Sequence, residues 1–353
     1  MNRSILALHT SGRFVVRAEI RQLNNKDVRQ RRRAVRKLFE LDDPTAMDAF
    51  IPLLDDSDEW FRGKALAAIQ KWASMKDLKL AERLSTSRRN EERILACRIA
   101  PRIGKSSTLI LKKLSEDSDQ LVKLNAWKTR LNQDGGLIME AIMAEESGIR
   151  ILAIEKIEQM PVVEDKIIKI ILKDKSSRVR KKAVSLLKMR PELNSSGTYD
   201  EIIIDIAEND KSTQIDAIIM LIESGRESKS IREKIPIWLE QENPQMVKII
   251  VESMKNKNLE DISELTKAIM NSSNDKLISG ILRRNNSNEA NKLRKRILLD
   301  SDRSDVLRAR IIEDLFGKNQ NDLELMKIIE ELQQSDNESI SNSANMFIKS
   351  IGN

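Results

Sequence analysis

Residues 55–69 read DDSDEWFRGKALAAI and residues 173–187 read KDKSSRVRKKAVSLL. In both, an acid (Asp56, Asp174) stands six residues before a base (Arg62, Arg180), an apolar residue (Phe61, Val179) directly precedes the base, and an alanine (Ala65, Ala183) follows it three later. The order recurs in EDSDQLVKLNAW at 116–127, through Asp117, Val122, Lys123 and Ala126. It recurs again in DSDRSDVLRARII at 300–312, through Asp302, Leu307, Arg308 and Ile311. Taking the last of these residues as an anchor places eleven copies, at Ala34, Ala65, Ala96, Ala126, Ala153, Ala183, Ala217, Ile250, Ile281, Ile311 and Ala344. The intervals run from 27 to 34 residues and average 31. A period of that length is the mark of stacked supersecondary units.

Around each anchor the apolar positions fall at −4, 0, +1 and +4, as in Phe61, Ala65, Leu66 and Ile69, which is the stripe of an amphipathic helix. A second helical pattern precedes it, as in STLILKKLSED at 107–117 and EDKIIKIILKD at 164–174. Pro161 and Pro191 lie eight residues past their anchors, where a helix should stop. Each repeat therefore reads as a helical hairpin. One apolar face cannot be buried alone, so neighbouring hairpins must stack.

This pattern resembles the HEAT-repeat family over residues 25 to 350 or so. The resemblance implies an all-α protein, a right-handed alpha-alpha superhelix of about eleven helical hairpins. It also implies that the second helix of each hairpin lines a concave face, and that the acid–base columns are structural. Along one continuous solenoid, residues 1–24 form a cap or lead, 25–200 the basic repeats, and 201–353 more acidic, degenerate repeats with a terminal cap. The departures are Val247, Ile278 and Ser341 in the basic column and Ser87 and Ala144 in the acidic one.

Composition removes several alternatives. Aromatics make up 3% of the 353 residues, too few for an all-β sandwich or barrel. One Cys excludes an intramolecular disulfide, and one His excludes multi-histidine metal sites, including those of HEAT-like metal hydroxylases. No run approaches the roughly 18 apolar residues of a membrane span. The opening MNRSILALHTSGRFVV lacks a small-residue cleavage site, so a cytoplasmic protein is expected, with no cofactor.

The basic column holds Arg31, Arg62, Arg93, Lys123, Arg150, Arg180 and Arg308. These are either phosphate hooks or a structural ladder in which each base pairs with an acid of a turn, within or between repeats; Asp56, Asp117, Asp174 and Asp302 stand six residues before Arg62, Lys123, Arg180 and Arg308. The ladder is the reading that the resemblance favours. Positions −1 and +2 lie off the apolar stripe and carry Arg33, Arg36, Lys64, Arg98, Lys128 and Lys182, candidates for binding a polyanion or a partner. Leu95, Asn125, Leu152 and Glu155 share these columns, and Ile219, Ile249 and Met346 follow in the second half. Residues 1–200 hold 40 Lys+Arg against 28 Asp+Glu, whereas residues 201–353 hold 22 against 27.

Catalytic signals are weak. His9 and Cys97 have nothing to bring them together as a nucleophilic pair. Gly104, Lys105 and Ser106 resemble the end of a phosphate loop, but Ile99 stands where its leading glycine belongs. HEAT-like DNA glycosylases use a Trp-lined pocket with a carboxylate; here Trp60, Trp72, Trp127 and Trp238 form no such cluster with Asp56 or Asp58 in the sequence. The expected function is a non-enzymatic scaffold binding a macromolecular partner, first of all a protein, along the concave face. A solenoid that binds DNA or RNA backbone is the alternative, and a glycosylase a remote one.

Overall fold

The computed structural model describes residues 14–224, 234, 238, 274–283, 285–317 and 322–351. Every regular element among them is a helix. The chain divides into two compact units, Met1–Met160 and Pro161–Asn353.

In the first unit a helix over 14–22 (α1) leads to α2 (Val28–Leu41), α3 (Met47–Phe50), α4 (Glu59–Trp72), α5 (Leu78–Ser85), α6 (Asn90–Ile103), α7 (Thr108–Leu114), α8 (Gln120–Gln133), α9 (Ile138–Ile142) and α10 (Ser147–Ile157). Each short odd-numbered helix from α3 on packs against the longer helix that follows it. The longer helices also pack side by side, α2 on α4, α4 on α6, α6 on α8 and α8 on α10. The second unit repeats the scheme with α11 (Asp165–Leu172) on α12 (Ser177–Met189) and α13 (Asp200–Asn209) on α14 (Gln214–Glu223). After α15 (Asp275–Leu282) come α16 (Asn288–Leu299), α17 (Asp305–Glu313), α18 (Leu323–Leu332) and α19 (Glu338–Ile351). There α15 packs on α17 and α17 on α19.

The anchors explain the close approach of the longer helices. Ala34, Ala65, Ala96, Ala126, Ala153, Ala183, Ala217, Ile281, Ile311 and Ala344 are all buried. Ile250 lies outside the described residues. A methyl at the crossing lets helix axes come to the short end of the usual 8–10 Å. Branched side chains at −4 and +4, such as Phe61 and Ile69, fill the space on either side.

Local chemistry starts and stops these helices. Asp27, Asp58, Asp119, Ser287 and Ser304 are N-caps whose side chains accept from backbone N–H groups of the first turn. Helix α2 ends with Asp42 in the left-handed region at φ 49°, its N–H on the Leu38 carbonyl. Pro101 lies in the last turn of α6 and has no N–H for the Cys97 carbonyl four residues back. The Thr129 hydroxyl of α8 comes within 3.3 Å of that carbonyl, sharing its hydrogen with the nearer Asn125 carbonyl of its own helix at 2.9 Å. The Gly104–Ser107 segment is a 3-10 turn after α6, tied by the Ser107 hydroxyl donating to the Ala100 and Gly104 carbonyls. This is a connector between helices and holds no phosphate loop.

Cys97 is fully buried on α6, and burial pushes its thiol up to about 12. Iodoacetamide at pH 8.5 should leave the folded protein unlabelled and label it fully once denatured, because the thiolate is the nucleophile. Rapid labelling without denaturant would show that α6 is not packed as described. The raised value also makes stability fall as pH climbs from about 9, where the unfolded thiol ionises, toward 12.

Candidate partner-binding face

The bases of the −3 column are consumed by the fold. Four of them, Arg62, Arg93, Arg150 and Arg180, reach back to carbonyls of their own turn. Arg62 donates to Asp56 O and Ser57 O at 2.9 Å, and Arg93 to Ser87 O at 2.9 Å and Arg88 O at 3.2 Å. Arg150 donates to Ala144 O and Glu145 O, and Arg180 to Asp174 O. These carbonyls belong to the turn itself, past the end of the preceding helix, where no backbone ladder supplies a donor. The carboxylate partner comes from the next repeat. Arg31 pairs with Asp56, Arg93 takes Asp117 through two bonds of 2.8 and 3.0 Å, Lys123 takes Glu146 at 2.5 Å, and Arg180 takes Asp210 at 2.8 Å. The Asp117 carboxylate raises the Arg93 guanidinium, and the Lys123 ammonium holds Glu146 below the usual carboxylate range.

The acidic column has a second duty. One oxygen of Asp56, Asp117 and Asp174 accepts the N–H two residues on, an Asx turn, and Asp210, two residues past its column, does so as well. Asn25, Ser87, Asn285 and Ser335 do the same, so Ser87 keeps the turn without the charge. Asp302 departs from its expected place. Asp300 accepts from the Asp302 N–H and makes the turn, while Arg308 reaches past it to the Leu298 carbonyl at 2.9 Å.

A further rung escaped the repeat pattern. The N-cap of one longer helix bonds the first residue of the longer helix before it: Asn90 donates to Asp119 at 3.1 Å and Asn337 to Asp305 at 2.8 Å, and Ser304 donates to Asp275. Its signal was a polar residue at both −7 and −6. The Asp119 carboxyl is lowered by the Val122 N–H first and by Asn90 second.

The +2 column is different. Arg36, Ala67, Arg98, Lys128, Glu155 and Ser185 are all exposed. At 100° per residue, +2 lies 160° from the anchor, whereas −1 lies only 100° away, on the flank where a neighbouring helix packs. Hence Lys64 and Lys182 at −1 are half-buried and Leu95 is core, a correction to its expected place beside the groove. Arg33 is exposed. Arg33, Arg36 and Lys128 make no ion pair among the described residues, and Arg98 has only the Gln70 amide at 3.4 Å. Lys64 lies 5.5 Å over the Trp60 ring and 5.8 Å over Phe39. Thus α2, α4, α6 and α8 bring five of the six candidates onto packed neighbours in one unit; Lys182 belongs to the other unit. In the second unit Ile219 is half-buried, Met346 is exposed, and Ile249 lies outside the described residues.

Trp72 and Trp127 are structural. Trp72 stacks on Phe39 and donates its indole N–H to Asp42 at 2.9 Å, and Trp127 is buried with Arg130 over its ring. Trp60 meets Phe61 edge-on. His9 lies outside the described residues, and no described helix is long and apolar enough to cross a membrane.

No protein-family model matches the chain, and no curated protein matches it. Among solved structures it is similar to an engineered protein, with 16% identity, TM-score 0.32, and 96% of this chain and 99% of that one covered. It is also similar to importin beta, with 11% identity, TM-score 0.39 and 95% of this chain covered. The chain spans 55% of that importin beta chain.

Proposed function

We propose that this chain is a non-enzymatic helical-repeat scaffold of the HEAT-like kind, a superhelix of stacked hairpins. It binds a protein partner along the exposed face of its longer helices in residues 14–160. One observation carries the reading: Arg33, Arg36 and Lys128 stand exposed without ion pairs among the described residues, while the −3 bases are engaged by carbonyls and carboxylates. Arginine is enriched in protein interfaces, and unpaired cations in a row favour an acidic partner.

The test places a photocrosslinking amino acid at Ala67, on this face, or at Lys79, on α5, in living cells. Protein adducts are expected at Ala67 and not at Lys79, and reversing Arg36, Arg98 and Lys128 to Glu should abolish them. Adducts removed by nuclease would replace the protein reading with nucleic-acid binding. Equal yields at both positions would remove the binding face.

A further inference from the structure

Positions −5, −1, +2 and +6 fall on one side of each longer helix, because residues three and four apart are surface neighbours. On α2 this side carries Arg29, Arg33 and Arg36, all exposed, with Glu40 at its end paired to Lys37; on α4 it carries Lys64 and Lys71, on α6 Arg98 and Arg102 against a single acid, Glu91, and on α8 Lys128. On α10 the sign reverses with exposed Glu155. The cationic stretch thus crosses four packed helices and stops. Three steps of 8–10 Å make roughly 25–30 Å.

Apolar groups lie in the same row. Leu121 is 60% exposed, two turns before Lys128 on α8, and Ala67 is exposed on α4. Trp60 is half-buried at the corresponding position of α4, with Arg32 and Lys64 over its ring at 5.2 and 5.5 Å. A phosphate backbone has no use for an exposed leucine, and these four helices carry no series of open rings for base stacking. A polypeptide with carboxylates on one edge and apolar side chains on the other uses both kinds of group.

Resting on the scaffold reading, we infer that this face takes an acidic amphipathic segment of a partner protein. Its carboxylates meet Arg33, Arg36, Arg98 and Lys128, and its apolar side chains lie on Leu121 and the Trp60 edge. A helix of about twenty residues spans some 30 Å and matches the stretch.

Fluorescence anisotropy with three probes tests this. The first is a peptide of about twenty residues with Glu and Leu at helical spacing; the second is a peptide of equal charge with Ser for Leu; the third is a short DNA duplex. The first should bind at least about tenfold more tightly than the second. Leu121→Asp should erase that advantage, and the Arg36→Glu, Arg98→Glu pair should weaken both peptides about tenfold or more, with melting temperature and helical content unchanged. Equal binding of the two peptides overturns the amphipathic part. Tighter binding of the duplex, insensitive to Leu121→Asp, overturns the polypeptide. If no probe binds while the Ala67 crosslinks persist, the acidic segment is wrong and the scaffold stands; if both fail, the scaffold reading falls too.

Discussion

Ala65→Glu is expected to destabilise the first unit by about 3–5 kcal/mol, while Ala67→Glu, two residues on, should change it by under about 1 kcal/mol. Both variants add the same side chain and charge to the same helix. Ala65 is fully buried at the centre of α4, which packs on α2 and α6, so a carboxylate there must be desolvated without a partner or drive the helices apart. Ala67 faces solvent. Urea unfolding followed by circular dichroism measures the difference, and equal midpoints would disprove the assigned register. Helix propensity cannot imitate the result, because Ala→Glu costs only a few tenths of a kcal/mol at either site.

Arg93→Ala should cost about 2–4 kcal/mol, somewhat below the range for removing one partner of a fully buried ion pair because this one is part-buried. The Arg93 side chain is 15% exposed and that of Asp117 is 10% exposed. The guanidinium joins α6 to the following turn through both carboxylate oxygens and holds the Ser87 and Arg88 carbonyls as well. Its loss strands a carboxylate and two carbonyls together. Arg93→Lys should recover part of the loss, since an ammonium cannot reproduce the bidentate fork. The comparison is Lys37→Ala, which removes an exposed pair with Glu40 at 3.1 Å and should fall under about 1 kcal/mol. If the two alanine variants unfold at the same denaturant concentration, the ladder contributes nothing to the stack.

The hairpin register was legible in the sequence because a side chain's place on a helix follows from its spacing alone. An alanine or isoleucine every 31 residues or so, flanked in most copies by apolar residues at −4 and +4, marks the crossing point. All described anchors are buried accordingly. Turn chemistry was nearly as legible, since an Asx turn is local and Asp, Asn and Ser all make it. The exception is the turn before α17, where Asp300 takes the part expected of Asp302.

Which cations remain free was settled by tertiary structure. Arg93 and Arg98 are five residues apart on one helix, both basic and both off the anchor. One is tied to Asp117, and the other has only a long contact with Gln70. That difference arises 24 residues downstream, where the next repeat delivers its carboxylate to the −3 side of α6 and none to the +2 side. Leu95 and Arg98 divide for the same reason: the flank of a helix becomes core only where a neighbouring helix lies against it. Helical spacing determines direction from one helix axis, whereas burial and pairing depend on what a second chain segment brings to that side.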